Sequence, residues 1–180
     1  MRYRVDASRS RLIEKAFAKG LLSAFGHNPR LAVRNLAGEA EFNPAEPHVA
    51  WTRMTAFADS LVVIDEMSEK DRREIERTTR EELLEAARYP QIVFQSSTVT
   101  SRQASEGRYD MKIIGDLSLC GMTRRLAIDA RIELEENELR AQGGFLLRLT
   151  DFNIRPISVA GGMLKLKDEV RLSFEIICHA

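Results

Sequence analysis

From Tyr109 onward apolar and polar residues alternate with few breaks: Tyr109-Asp110-Met111-Lys112-Ile113, Leu117-Ser118-Leu119, then Leu126-Ala127-Ile128-Asp129-Ala130-Arg131-Ile132-Glu133-Leu134. Successive side chains of a strand point to opposite faces, so the pattern predicts long strands with one apolar face each. Strands are expected over 108–119, 124–135, 138–150 and 164–178. The last places Leu164, Leu166, Val170, Leu172, Phe174 and Ile176 on one face, which Asp168 interrupts. Gly121-Met122-Thr123 and Glu136-Asn137 are short connectors, which make sequential strands antiparallel neighbours in a meander.

The N-terminal half is less regular. A short strand is expected over 3–6. Residues 11–19 have an ambiguous period and are read as a strand with Ile13 and Phe17 on one face. Leu21 to Phe25 form an apolar run, one helical turn or a lid, before the turn at His27-Asn28-Pro29. A long strand over 31–42 contains Gly38, a signal for a bulge or a barrel corner. Extended chain follows over 48–63. Residues 68–88 read as a helix, with Ser68 and Asp71 in a capping-box arrangement. Ile75, Thr79, Leu83 and Ala86 give it a thin apolar stripe, and Glu76–Arg80 is an i,i+4 pair. Pro90 ends it, and 91–100 returns to strand. One thin helical stripe cannot cover an open sheet of about eight strands, so the sheet is expected to close on itself. The predicted fold is mainly β: an eight-stranded antiparallel barrel with one inserted helix, about 68–88, in a single domain over 1–180. Such a barrel is just wide enough to hold one small ligand.

Composition narrows the function. The 180 residues carry 27 basic and 27 acidic side chains, a balance that argues against nucleic-acid binding. A chain of this size buries roughly 70% of its unfolded surface and needs no staples. Cys120 and Cys178 are too few for a disulfide framework and read as apolar or free thiols, bridged only if their strands are neighbours. The polar start, Met1 to Asp6, lacks a secretion-signal pattern, and no window reaches the ~18 apolar residues of a membrane span. A cytoplasmic protein without a transmembrane segment is therefore expected.

The search for chemistry is mostly negative: no GxSxG, P-loop or GxGxxG occurs, and Gly161-Gly162 reads as a hinge or hairpin turn before a strand. His27, His48 and His179 do not share metal-ligand spacing, and His179 is expected to be frayed. His27 reads first as a turn histidine with a structural hydrogen bond, next as a head-group contact at a barrel mouth, last as a metal ligand. Asp65, Glu66 and Asp71 read as a solvated charged face. Asp168 is a rim residue or a buried polar anchor; Arg155 pairs with Asp151 or meets a ligand head group. No catalytic residue, metal or cofactor is expected.

Several stretches together resemble the YceI-like proteins, the lipocalin-like polyisoprenoid-binding family. Tyr89-Pro90-Gln91-Ile92-Val93-Phe94-Gln95-Ser96 is similar to its Tyr-Pro-x-Ile-x-Phe-x-Ser signature after the helix. Gly115-Asp116-Leu117-Ser118-Leu119-Cys120-Gly121-Met122-Thr123 resembles its Gly-Asp-Leu-Thr hairpin, and Asp151-Phe152-Asn153-Ile154 its Asp-Phe-Gly-Ile segment. Asp168-Glu169-Val170, Gly38 with Phe42, and Val5-Asp6-Ala7-Ser8 also fit, in order along nearly the whole chain. Cys120 departs from a frequent histidine and Asn153 from a glycine. Members of the family often carry a secretion signal. The resemblance implies a barrel that holds a long isoprenoid or acyl chain.

The expected function is thus a non-catalytic carrier or sensor for a long-chain apolar ligand: a polyisoprenoid, an isoprenoid quinone or a fatty-acyl chain. Phe17, Leu22, Phe25, Phe57, Phe94, Ile113, Leu117, Phe145, Leu147, Phe152 and Phe174 are the lining candidates, with His27, Arg155 and Asp168 at the mouth. The alternative is an interaction or stress-response module with a side-chain-filled barrel and the charged helix as partner surface. A third reading, an isoprenoid-modifying enzyme with His27 as base, has no evident partner for that histidine. A homodimer is left open.

Overall fold

The computed structural model describes residues 1–19, 28–156, 158–159 and 164–180. Twelve strands form one sheet: β1 (Arg2–Val5), β2 (Arg11–Lys19), β3 (Arg30–Val33), β4 (Leu36–Glu41), β5 (Trp51–Phe57), β6 (Leu61–Val63), β7 (Gln91–Ser105), β8 (Arg108–Leu119), β9 (Met122–Glu135), β10 (Glu138–Arg148), β11 (Ser158–Val159) and β12 (Leu164–His179). The order β1-β4-β5-β7-β8-β9-β10-β12 closes because β12 also pairs with β1, Val5 opposite Cys178. This is the expected closed eight-stranded antiparallel barrel.

The first three barrel positions are each split in two. β1 continues as β2, β4 continues back as β3, and β5 continues as β6; β2 pairs with β12 and β3, and β3 with β6. Asp6 makes the first break, its Oδ1 accepting from the Ser8 and Arg9 amides. The expected unbroken strand over 31–42 is interrupted at Arg34-Asn35. There the two amides turn aside to Ser60, Arg34 to its carbonyl at 3.1 Å and Asn35 to its Oγ at 3.0 Å. Gly38 makes no bulge: β4 and β5 stay in register through it.

The meander from β7 to β10 has long ladders and tight turns. Between β8 and β9 the turn residues are Cys120 and Gly121, both at positive φ (49° and 75°), as a two-residue turn matched to strand twist requires. Both cysteines are free. His179 is not frayed: it pairs with Arg4 and Glu138 in β12, and its Nε2 lies 3.4 Å from Asp6 Oδ2.

The helix is shorter than expected. Helix α1 runs over Glu69–Thr78, continues as one π-helical turn over Thr79–Leu83, and stops before Glu85 at φ 45°. Ser68 caps it, its Oγ accepting from the Asp71 amide at 3.1 Å. α1 lies beside β6, whose second edge pairs with no strand among the described residues. Its charged side chains take over that edge. Glu76 Oε1 accepts from the Val63 amide at 2.9 Å, and Arg72 donates to the carbonyls of Val63 (2.6 Å) and Asp65 (3.1 Å). An unpaired strand edge is thereby closed with side chains instead of a neighbouring strand. Among the described residues, no helix is long and apolar enough to cross a membrane.

Candidate ligand-binding lumen

Alternation along each strand points one row of side chains into the barrel. On β8 the row is Met111, Ile113, Leu117 and Leu119; on β10 it is Leu139, Ala141, Phe145 and Leu147; on β12 it is Val170, Leu172, Phe174 and Ile176. These rows do not meet at the axis. They enclose a cavity of about 240 Å³, walled almost wholly by apolar side chains. It runs from Val5 and Cys178, near the chain termini, to Thr79, Leu83 and Leu84 of the helical insert.

Three glycines help keep the middle open. Each belongs to an inward row, and a larger side chain from the next strand lies against its bare backbone. A Cβ on Gly115 would come within 2.6 Å of the Phe94 ring, on Gly143 within 2.7 Å of the Phe174 ring, and on Gly38 within 2.5 Å of Met54 Sδ. The two rings therefore rest close against the wall.

One wall residue is acidic. Glu14, in the middle of β2, is in register with Leu31 on β3 and Leu172 on β12, and Leu172 is in turn opposite Phe145. Paired residues share a face, so the carboxyl stands among leucines on the lumen side. Among the described residues no hydrogen bond or ion pair engages it. It is half-buried in the cavity wall, and burial pushes its pKa up to about 7. Glu41, at the edge of the lining, alternates with buried Ala40 and is exposed outside, accepting from Trp51 Nε1 at 2.8 Å. Cys178 is fully buried, and desolvation pushes its thiol to about 11. Cys120 is raised to about 11 by burial and then by Glu85; its Sγ lies 3.4 Å from the Leu84 carbonyl, tying the β8–β9 turn to the helical insert. Among the described residues no three His, Cys, Asp or Glu side chains gather as a metal site.

Of the residues singled out from sequence, Phe94, Ile113, Leu117, Phe145, Leu147 and Phe174 come together on the cavity wall. Four lie elsewhere. Phe57 is half-buried at the end of β5, and Phe152 is 1% exposed within the core beside the cavity. Asp168 accepts from the amide and the hydroxyl of Thr150, both at 2.8 Å, at the register shift of β12. Its carboxylate is thus engaged by the turn that follows β10. Arg155 is exposed and, among the described residues, makes no ion pair with Asp151. Leu22, Phe25, His27 and the side chain of Phe17 lie outside the described residues.

Glu14 and Leu12 escaped the sequence reading because the phase of β2 is opposite to the expected one. Leu12 and Glu14 face the lumen; Ile13, between them, faces away. A slip of one residue exchanges the two faces, and a glutamate on the inner face argues for the wrong phase. The pairing of Leu12 with Val33 and Phe174 carries the correct phase, but only in the folded barrel.

The family model for the YceI-like domain matches residues 3–178. Comparison with curated proteins gives no significant sequence match. Among solved structures, BcnA of Burkholderia cenocepacia superposes with a TM-score of 0.74 at 17% identity, covering 96% of this chain and 98% of that one. The YceI protein of Campylobacter jejuni superposes with a TM-score of 0.62 at 13% identity, covering 83% and 84%. At these identities the structural likeness concerns the fold.

Proposed function

Since the chain belongs to the YceI-like family, we propose that it binds one slender apolar chain in the barrel lumen and carries it unchanged. A polyisoprenoid, an isoprenoid quinone tail or a fatty-acyl chain has the required form. The observation that carries this reading is the cavity itself: about 240 Å³ of apolar-walled space inside the barrel. Each methylene transferred into such a lumen contributes about 0.8 kcal/mol. A tail of ten to fifteen carbons thereby offsets most of the ~4–15 kcal/mol cost of association. The thiol at the cavity wall, Cys178, is held protonated by burial and suits a container better than a reaction centre.

A side-chain-filled interaction module would have a dry core, which the cavity disfavours. Its proposed partner surface is also partly spent, since Arg72 and Glu76 of α1 are engaged by β6. The test is extraction of the purified protein with organic solvent and mass spectrometry of the extract, with the fluorescence of Trp51, which adjoins the lumen residue Thr52 on β5, as a second readout. The expected result is a co-purifying prenyl or acyl lipid and quenching or a shift on addition of such a chain. An empty extract together with unresponsive Trp51 fluorescence would overturn the proposal.

A further inference from the structure

We propose that Glu14 is the head-group contact of the lumen, selecting ligands that end in a neutral oxygen group, an alcohol or a carbonyl, over ligands that end in an anion. The inference rests on the carrier reading above and deepens it.

An acidic side chain in an apolar wall is costly, and folded proteins normally pair or hydrogen-bond such groups. Among the described residues Glu14 has neither arrangement. Among the described residues, the charged side chains of the surrounding strands do not face it. Arg11 and Lys15 on its own strand, Arg30 on β3, and Arg171 and Glu175 on β12 occupy the alternate, outer face. On the lumen face its neighbours are Leu12, Leu31, Leu172 and Phe174. Glu41 is exposed and holds the Trp51 indole N–H, and Cys178 stands six residues beyond Leu172 along β12. Those six residues give roughly 20 Å of strand for a tail lying between Glu14 and the far end. A ligand with its head at Glu14 therefore has its chain against Phe174, Ile176 and Ala141.

The choice of head group follows from charge. A carboxyl that titrates near neutrality in this lumen offers an O–H and a carbonyl, which match one alcohol or one ketone oxygen. When the tail displaces lumen water, the ionised form loses its solvation, so binding takes up a proton as pH rises past 7. A phosphate or carboxylate head would set a second negative charge beside the first with no cation on the lumen face among the described residues.

The test uses three twenty-carbon probes with the purified, delipidated full chain: geranylgeraniol, geranylgeranyl phosphate and the hydrocarbon phytane, each titrated from pH 5.5 to 8.5. Geranylgeraniol is expected to bind at least tenfold more tightly than the phosphate at pH 7, and to weaken by up to roughly thirtyfold between pH 5.5 and 8.5, the limit set by the fraction protonated. Glu14→Gln should keep the alcohol preference and flatten the pH profile. Glu14→Leu should bind phytane at least as well as wild type and no longer favour the alcohol over it. Equal binding of all three probes with a flat wild-type profile, or a preference for the phosphate, would overturn the role of Glu14 while leaving the lumen as a chain-binding site. Failure to bind any probe would overturn both.

Discussion

Glu14 carries a cost that other lumen residues do not, and the cost has a definite pH signature. Its carboxyl titrates at about 7 in the folded protein against an ordinary 4.5. The native state therefore holds more protons than the unfolded chain between these values. Stability is full below pH ~4.5, falls as pH rises toward 7, and stays low above it. Glu14→Gln is expected to gain up to roughly 3 kcal/mol at pH 8, less where lumen water screens the charge, and to gain nothing at pH 4. Urea denaturation of both proteins at the two pH values checks this; a gain of equal size at pH 4 would assign the effect to packing instead of charge. The glycines make the complementary case. A methyl on Gly143 has the Asp129 carbonyl at 2.5 Å on one side and the Phe174 ring at 2.7 Å on the other. The ring is the part able to move, and its path leads into the lumen. Gly143→Ala should cost about 1–3 kcal/mol, typical of overpacking, and should weaken chain binding by reducing the space available. Thermal denaturation and a titration with the prenyl alcohol measure the two effects separately.

At the scale of elements, the insert between β6 and β7 replaces one strand pairing with a helix, and the joint rests on two side chains. Arg72→Ala removes both donors to the Val63 and Asp65 carbonyls. The expected loss is about 1–3 kcal/mol, read by urea denaturation. Arg73→Ala, which breaks only the exposed pair with Glu69, should change stability by less than about 1 kcal/mol. Equal effects of the two changes would show that the edge contacts carry no weight. Strands β7 to β10 and β12 were legible because long alternation leaves a single phase, as in Tyr109–Ile113 and Leu126–Leu134. The N-terminal pairs were not, since their breaks depend on partners distant in sequence. Ser60 bends the chain at Arg34 and Asn35, and no local signal at 34–35 announces it. The end of α1 was overestimated for a related reason. The alternating Arg and Glu residues continue past Thr78, while packing of Thr78, Thr79 and Leu84 into the barrel opening fixes where the chain must turn. The aromatic wall residues Phe94, Phe145 and Phe174 were legible from their strands. Glu14 was hidden by the ambiguous phase of its strand.

For the molecule as a whole, closure decides function. A sheet that closes has two surfaces of different kind, and the same residue type has opposite consequences on each. Ala141 and Gln142 are adjacent on β10; the first lines the lumen and the second is exposed outside. Ala141 lies opposite Ile132 and Ile176, so a larger side chain there projects into the cavity. Ala141→Phe should therefore fill part of the 240 Å³, and the fold should tolerate it within the about 1–3 kcal/mol of an overpacked core, because the space is already present. Chain binding should fall at least tenfold. Gln142→Phe adds similar bulk on the outer face and should leave binding unchanged. Circular dichroism and thermal melting establish that both variants fold, and Trp51 fluorescence titration reads the affinity. Equal affinities for the two variants would place the bound chain outside the barrel and remove the lumen from the account of what this protein does.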